Sequence, residues 1–384
     1  MSGLRKLVDK IKPTFEKGGK LGFLHSTFDA FETFLFVPNT VTKKGAHVRD
    51  CVDLKRVMIM VVLALVPAML FGIWNVGYQH SLAFGLDWSF WQIVGHGLIK
   101  VLPLYIVAYL VGLAIEFVSA QIQGHEVNEG YLVSGMLIPL IVPVDVPLWM
   151  LAIAVAFAVI IGKEVFGGTG MNIWNPALLT RAFLFFSYPS KMSGDTVWVS
   201  GLGEQGAQMV DTFTGATPLA NASMEGLSAS GYSMFDLIVG TTTGSVGETS
   251  VISILIGAAL LLWTGVASWK IMFSSILGGL AIGYLGFALG STDLPGYYQL
   301  VMGGFLFGTV FMATDPVTSA QTEKGKWIYG FLVGALAVVV RIWNPGYPEG
   351  MMLAILLMNT FAPLIDHYVI EGSIKRRNKK VKTA

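Results

Sequence analysis

The sequence has little of what enzymes commonly use for catalysis or for binding metals. Its one cysteine, Cys51, excludes an internal disulfide and an iron–sulfur cluster held only by cysteines of this chain. We find no HExxH motif, no cysteine-rich metal pattern and no spacing typical of a Ser-His-Asp triad. Basic and aromatic residues are not interleaved, so no nucleic-acid partner is expected. Hydrolases, zinc enzymes and nucleic-acid-binding proteins are therefore not indicated.

Charged residues are also scarce, at 13% of 384 residues, whereas 54% are hydrophobic and the mean hydropathy is +0.65. No soluble domain of this size needs so apolar a composition. Because a helix needs about 20 apolar residues to cross the hydrocarbon, we predict an all-α polytopic membrane protein with about ten transmembrane helices. The predicted spans are 57–74, 98–120, 131–142, 148–161, 176–186, 250–267, 271–289, 298–312, 328–340 and 351–365.

The distribution of basic residues predicts the orientation. Many of the 25 Lys and Arg residues lie in segment 1–56 or in the basic tail 368–384, which places both termini in the cytoplasm. Segment 1–56 is polar and amphipathic, without the apolar run and cleavage site of a signal peptide. Segment 189–249 follows the fifth span and is acidic, with Lys191 as its one lysine, so we expect it on the outer side.

The membrane part is predicted to be duplicated. Ile-Trp-Asn-Pro occurs at 173–176 and again at 342–345, and the segment 131–139 resembles 298–307. Two halves of five helices, 57–188 and 250–367, explain both correspondences. An odd number of crossings in each half makes the repeat an inverted one, and such folds hold their sites where the halves meet. The alternative is that the two Asn-Pro turns are unrelated.

The acidic segment contains a candidate attachment site. Residues 211–217 read Asp-Thr-Phe-Thr-Gly-Ala-Thr, in which Gly215 and Ala216 leave the hydroxyl of Thr217 sterically open. Asp211 would give a modifying enzyme a charged group to recognise, and Thr214 lies between Asp211 and Thr217. An ordinary polar turn rich in Thr and Gly is the alternative interpretation.

Two further groups of residues are candidates for holding a flat ligand. The glycine-rich run 162–170 permits close backbone approach, and the amides of Asn172 and Asn175 could bind the polar edge of an isoalloxazine ring. In the second half, Phe307 and Phe311 share a helix face that ends at Asp315. The alternatives are that the asparagines cap the helix after them and that the aromatic residues serve packing.

Acidic residues inside a membrane are costly, and each is a functional candidate. Glu116 lies within the second predicted span and Asp366 closes the last one, so either could belong to an ion or proton path. The alternative for both is a carboxylate that reaches the interface or pairs with a base, such as His367 beside Asp366. Arg181 is interpreted as a structural partner of such an acid.

These motifs resemble those of the B subunits of sodium-translocating NADH:quinone oxidoreductases. The resemblance runs from residues 47–56 to the basic tail and includes 167–170, 311–316 and 344–352. It implies that Thr217, in the flavinylation motif, carries FMN through a phosphoester installed by a flavin transferase. It also implies a noncovalent riboflavin in contact with Asn172, Asn175 and Asp315, with Phe307 and Phe311 nearby.

The resemblance further implies quinone and sodium sites. A glycine pair ahead of an acid marks the quinone region of the family, and here Gly112 is followed by Leu113 before Glu116. Asp366 matches an acid connected with sodium uptake. The implied protein belongs to a six-subunit complex of the bacterial inner membrane, which passes electrons from covalent FMN through riboflavin to quinone and exports Na⁺.

Three alternatives remain open. Inverted five-helix repeats also build solute transporters and channels without redox function. The D protein of the Rnf complex shares the flavin motif but acts between ferredoxin and NAD; the long N-terminal segment and the runs 311–317 and 344–352 favour the first family. A structural anchor for other subunits is the third alternative.

Overall fold

The computed structural model describes the chain from residue 54 to residue 383, except 124–129, 204–209, 211–212, 226–231 and 345–349. Ahead of residue 54 it describes 3–15 and a few isolated positions. Cys51 and Asp211 therefore lie outside the described residues. Within them the secondary structure is helical and no strand occurs.

Helices of the first half follow one another closely. After α1 (Gly3–Phe15) come α2 (Leu54–Ala83), α3 (Phe90–Gln123), α4 (Tyr131–Ile141), α5 (Leu148–Gly162) and α6 (Pro176–Ser187). Helices α2 and α3 are longer than the predicted spans, whereas α4 is short and contains Pro139. All five predicted spans of this half are helices.

The second half is also helical, and two short helices lie ahead of it in the sequence. Two short helices, α7 (Pro218–Glu225) and α8 (Met234–Val239), precede α9 (Val251–Trp263), α10 (Trp269–Ala288), α11 (Glu323–Trp343) and α12 (Met351–Thr383). Between α10 and α11 the chain forms short helical pieces at Tyr298–Val301 and Phe305–Phe307 and a π-helix at Gly308–Met312. The predicted continuous span 298–312 is thus wrong in detail, because Gly303 with φ +59° interrupts the helix.

The lengths and the exposed surfaces of the helices are those of an integral membrane protein. Of the described helices, six are long and apolar enough to cross a membrane, and α4, α6 and α9 are shorter apolar helices. Large apolar side chains point away from the bundle, among them Ile99 at 72% and Leu110 at 67% exposure. Such surfaces are stable in contact with lipid and not with water. The molecule is an all-helical polytopic membrane protein, as predicted.

The two halves meet along α2 and α9, the first helix of each half, and α12 also packs on α6. Gly257 of α9 makes this contact possible. A Cβ added there would lie 2.3 Å from the carbonyl oxygen of Ala64 and 2.6 Å from Cζ of Phe311. Small residues allow such close backbone approach in membrane proteins, so Phe311 is brought to the junction of the halves.

The second Asn-Pro turn differs from the first. Asn175 is the N-cap of α6, with Pro176 at the first helical position. Asn344, in contrast, lies at the C-terminal end of α11, and the helix after that turn is the 33-residue α12. Asn344 therefore does not cap a short helix as Asn175 does. The basic residues of the tail belong to the last turns of α12.

One acidic residue expected in the outward-facing loop is buried. Glu248 is 6% exposed, its Oε2 lies 3.9 Å from Nη1 of Arg181, and its Oε1 accepts a hydrogen bond from the amide of Ser245 at 3.2 Å. Burial of a carboxylate requires such donors and an opposite charge. Arg181 is the partner of a buried acid, as predicted, but this acid is Glu248.

Candidate functional site

A cavity of about 760 Å³, counting the part open to solvent, lies between the two halves. The first half contributes residues of α2 and α4 together with Asn172 and Asn175, and the second contributes the end of α9 and the segment 311–317. Asn175 and Asp315, two predicted site residues 140 positions apart in the sequence, thus line the same cavity.

Asn175 joins the two halves at this cavity. Its side-chain oxygen caps α6 by accepting from the amides of Ala177 at 3.0 Å and Leu178 at 3.4 Å, while its Nδ2 donates to Oδ2 of Asp315 at 3.3 Å. Asp315 also accepts from the amide of Val317 at 3.0 Å and from the hydroxyl of Thr318 at 3.1 Å. The capping alternative for Asn175 is confirmed, and the same side chain lines the cavity.

The cavity has the chemistry of a site for a flat, polar-edged ligand. Asn172 is 8% exposed and donates to the carbonyl of Trp174 at 3.0 Å. Near it, the hydroxyl oxygen of Thr169 is buried and has no hydrogen-bond partner among the described residues. An orphaned buried hydroxyl costs free energy unless a ligand or water meets it. Amides, a carboxylate and an aromatic wall fit an isoalloxazine ring.

Of the two predicted aromatic residues, one lines this cavity. Phe311 is part of its wall, whereas Phe307 lies against a second cavity of about 380 Å³ beside Glu248 and Arg341. The two ring centroids are 5.0 Å apart. Phe307 is therefore placed behind Phe311 and not in the cavity wall, because the π-helix changes the angular spacing of residues four apart.

Sequence reasoning missed Lys163, which lies in the cavity wall at the end of α5. Its ammonium forms an ion pair with Glu116 of α3, and both side chains are 4% exposed. The pairing alternative for Glu116 is confirmed. A lysine directly after 15 apolar residues was the available signal, but its partner is 47 positions away.

The space next to Gly112, one helical turn before Glu116, is occupied by a side chain of the same protein. A Cβ added to Gly112 would lie 1.9 Å from Cζ of Tyr131. The hydroxyl of Tyr131 donates to the carbonyl of Ala108 at 2.7 Å, which fixes the ring against α3. Leu113 is half-buried beside it. Gly112 thus makes room for the tyrosine that starts α4.

Thr217 lies at a separate cavity of about 370 Å³, which it shares with Thr243, Glu248 and Thr249. Its hydroxyl oxygen accepts from the amide of Ala220 at 3.2 Å at the start of α7, and its side chain is half-buried. The hydroxyl of Thr249 is buried without a hydrogen-bond partner among the described residues. A polar ligand on Thr217 therefore has a wall with unused hydrogen-bonding capacity.

The residues before Thr217 are held in place by the bundle. The hydroxyl of Thr243 donates a hydrogen bond to the carbonyl of Ala216 at 2.6 Å, and the amide of Ala216 donates to the hydroxyl of Thr214 at 3.3 Å. A Cβ on Gly215 would lie 2.0 Å from the carbonyl oxygen of Asp195. Gly215 is thus required by a close backbone contact.

Asp366 lines none of the three cavities described above. Its carboxylate accepts from the amides of Gln321 at 2.7 Å and Thr322 at 2.9 Å and from the hydroxyl of Thr322 at 2.5 Å. Thr322 in turn caps α11 through the amide of Gly325. Asp366 therefore fixes the start of α11 to α12. Its described hydrogen bonds do not include His367.

These features define a class: an all-helical polytopic membrane protein with a cavity lined by amides and a carboxylate between its first and second halves, and a smaller cavity at Thr217. The chain belongs to the NQR2, RnfD, RnfE family, whose model matches residues 41–375.

Relatives support this assignment over the whole length. The chain is 46% identical to the B subunit of the Na(+)-translocating NADH-quinone reductase of Pseudomonas paraeruginosa, over 98% of both chains. It is equally similar to that of Pseudomonas aeruginosa strain LESB58, again over 98% of both. The protein of that name from Chromohalobacter salexigens is 45% identical, over 98% of this chain and 97% of its own.

Proposed function

We propose that this chain is the B subunit of a Na⁺-translocating NADH:quinone reductase, an enzyme complex of the bacterial inner membrane, and that it carries two flavins. The observation that carries the proposal is the cavity at which Asn175 of one half meets Asp315 of the other at 3.3 Å. The names of relatives 45–46% identical over nearly the whole chain support the complex to which we assign it.

The first flavin is FMN, held covalently. Its phosphate would be esterified to the hydroxyl of Thr217 by a flavin transferase that recognises the motif 211–217, on the outer side of the membrane. The polar wall formed by Thr243, Glu248 and Thr249 supports a bound ring or ribityl chain at this place. Both termini are then cytoplasmic, as the basic residues at either end suggest.

The second flavin is riboflavin, in the cavity between the halves. Asn172, Asn175 and Asp315 would bind its polar edge, and Phe311 its ring face. When bound, the flavins supply the electron-transfer chemistry. The chain would contribute hydrogen bonds that orient the ring, and apolar walls from α2 and α9.

Quinone and sodium sites complete the proposal. Gly112 and Glu116 on α3 mark the quinone region, and Glu116 and Asp366 are the candidates for the sodium path. Electrons pass from FMN to riboflavin to quinone, with Na⁺ exported by the six-subunit complex. Since Glu116 is ion-paired and Asp366 fixes α11, each carboxylate would have to exchange a protein partner for the cation.

Mass spectrometry of the peptide that spans Thr217, from the purified complex, tests the covalent site. We expect the mass increment of FMN on the wild-type peptide and its loss, with loss of in-gel flavin fluorescence, in Thr217→Ala. Thr264→Ala, at the exposed end of α9, is the control and should keep both. Fluorescence unchanged in Thr217→Ala would refute the attachment, and a complex without any flavin would favour a transporter.

The family model also names RnfD, so a protein that serves ferredoxin and NAD is the second candidate. Quinone reduction by the purified complex distinguishes the two. NADH-dependent, Na⁺-stimulated reduction of ubiquinone or menaquinone is expected, whereas ferredoxin-dependent NAD reduction without it would assign the chain to the Rnf group.

A further inference from the structure

Lys163 is the one charged residue besides Asp315 among the described residues that line the cavity between the halves. It is 3% exposed, and its ammonium contacts the carboxylate of Glu116 and lies 6.0 Å from the ring centroid of Tyr131. A buried ammonium is costly, and packing alone does not require it, because an apolar residue could fill the space. A lysine kept in a cofactor cavity suggests a role toward the cofactor.

The two charged residues of the wall are held differently. Asp315 accepts three hydrogen bonds, from Asn175, Val317 and Thr318. Lys163 has Glu116 as its ion-pair partner, and the neighbouring Glu164 adds a second negative charge nearby. An ammonium has three donors, and those not used toward Glu116 are available to a ligand in the cavity.

Building on the function proposed above, we propose that Lys163 stabilises the negative charge that reduction places on the flavin in this cavity, and that Glu116 is a positioning residue that competes for the same ammonium. In a cavity whose charged groups are buried, a fixed cation favours the reduced ring electrostatically. No proton or covalent bond is exchanged in this interaction. Reduction of the ring draws Lys163 toward the flavin and weakens its pair with Glu116.

This arrangement links the flavin to the α3 region that holds the quinone and sodium candidates. Glu116 follows Gly112 by one turn, and its second carboxylate oxygen is buried without a hydrogen-bond partner among the described residues. When Lys163 turns to the reduced ring, the carboxylate of Glu116 needs another cation. Arrival of an electron in the cavity would thus raise the affinity of α3 for a positive charge.

Redox titration of the riboflavin in the purified complex tests the proposal by the sign of two shifts. Lys163→Met should lower its midpoint potential, with at least a tenfold loss of preference for the reduced form, which corresponds to about 59 mV for a one-electron step. Glu116→Gln should shift the potential in the opposite direction, because it removes the competitor. Lys163→Arg keeps the charge and should stay near wild type, as should Lys191→Met, an exposed lysine outside the cavity.

Riboflavin content, measured by extraction and chromatography, is recorded for every variant. Loss of riboflavin in Lys163→Met together with retention in Lys163→Arg also supports a required cation. An unchanged potential in Lys163→Met, shifts of the same sign in Lys163→Met and Glu116→Gln, or loss of riboflavin in both Lys163 variants would overturn the proposal. A wild-type complex without riboflavin would instead refute the proposed function of the cavity.

Discussion

Replacement of Asn175 by serine or alanine separates its two roles. Serine is a good N-cap residue and can still accept from the first amides of α6, but its side chain is too short to reach Asp315. Alanine removes both contacts. The pair of variants therefore distinguishes the hydrogen bond between the halves from the cap within the first half.

The expected magnitudes follow from the geometry. A hydrogen bond to a charged group contributes about 1.5–3 kcal/mol, and the long distance of 3.3 Å between Nδ2 of Asn175 and Oδ2 of Asp315 favours the lower end. Loss of the cap costs about 1 kcal/mol more. We expect Asn175→Ser to lower the free energy of unfolding by about 1.5 kcal/mol, and Asn175→Ala by about 2.5 kcal/mol.

Reversible unfolding of the complex in mixed micelles, followed by circular dichroism, measures these differences, and extraction measures riboflavin. Asn378→Ser, on the exposed end of α12, is the control and should change neither quantity. We expect both Asn175 variants to lose riboflavin, since both remove the amide from the cavity. Serine equal to wild type would show that the contact with Asp315 contributes nothing, and serine equal to alanine would refute the role of the cap.

Three further outcomes are expected. Gly112→Ala should destabilise the complex by about 1–3 kcal/mol through overpacking against Tyr131, measured by the same unfolding assay. Adding Tyr131→Leu to that variant should restore part of the lost stability. An unchanged stability in Gly112→Ala would contradict the close contact. Gly215→Ala should reduce in-gel flavin fluorescence and Gly203→Ala, where a Cβ meets nothing closer than 3.9 Å, should not. Asp366→Asn should lower stability by about 1.5–3 kcal/mol, and full stability with lost Na⁺ uptake would show a transport role alone.

Part of the site could be predicted from residue types and spacing. The repeat of Ile-Trp-Asn-Pro predicted two halves with sites where they meet, and Asn175 of the first half does contact Asp315 of the second. The threonine motif pointed to Thr217 without any knowledge of its surroundings. Both inferences rest on short stretches of sequence, whose residue types or repetition indicate their structural role.

The membrane class, the succession of apolar segments and the capping of α6 by Asn175 were determined by the sequence itself. Composition decides whether a chain can bury itself in lipid, and a cap depends on residues two or three positions away. Such features need no knowledge of distant contacts.

Only the tertiary structure decided that Lys163 pairs with Glu116, that Glu248 is buried beside Arg181 and that Phe307 lies behind Phe311. In a membrane protein the helix faces toward lipid and toward protein are both apolar, so hydrophobic periodicity does not reveal which face meets which neighbour. Those pairings join residues 47 and 67 positions apart, or depend on a local π-helix, and they become fixed only when the helices pack.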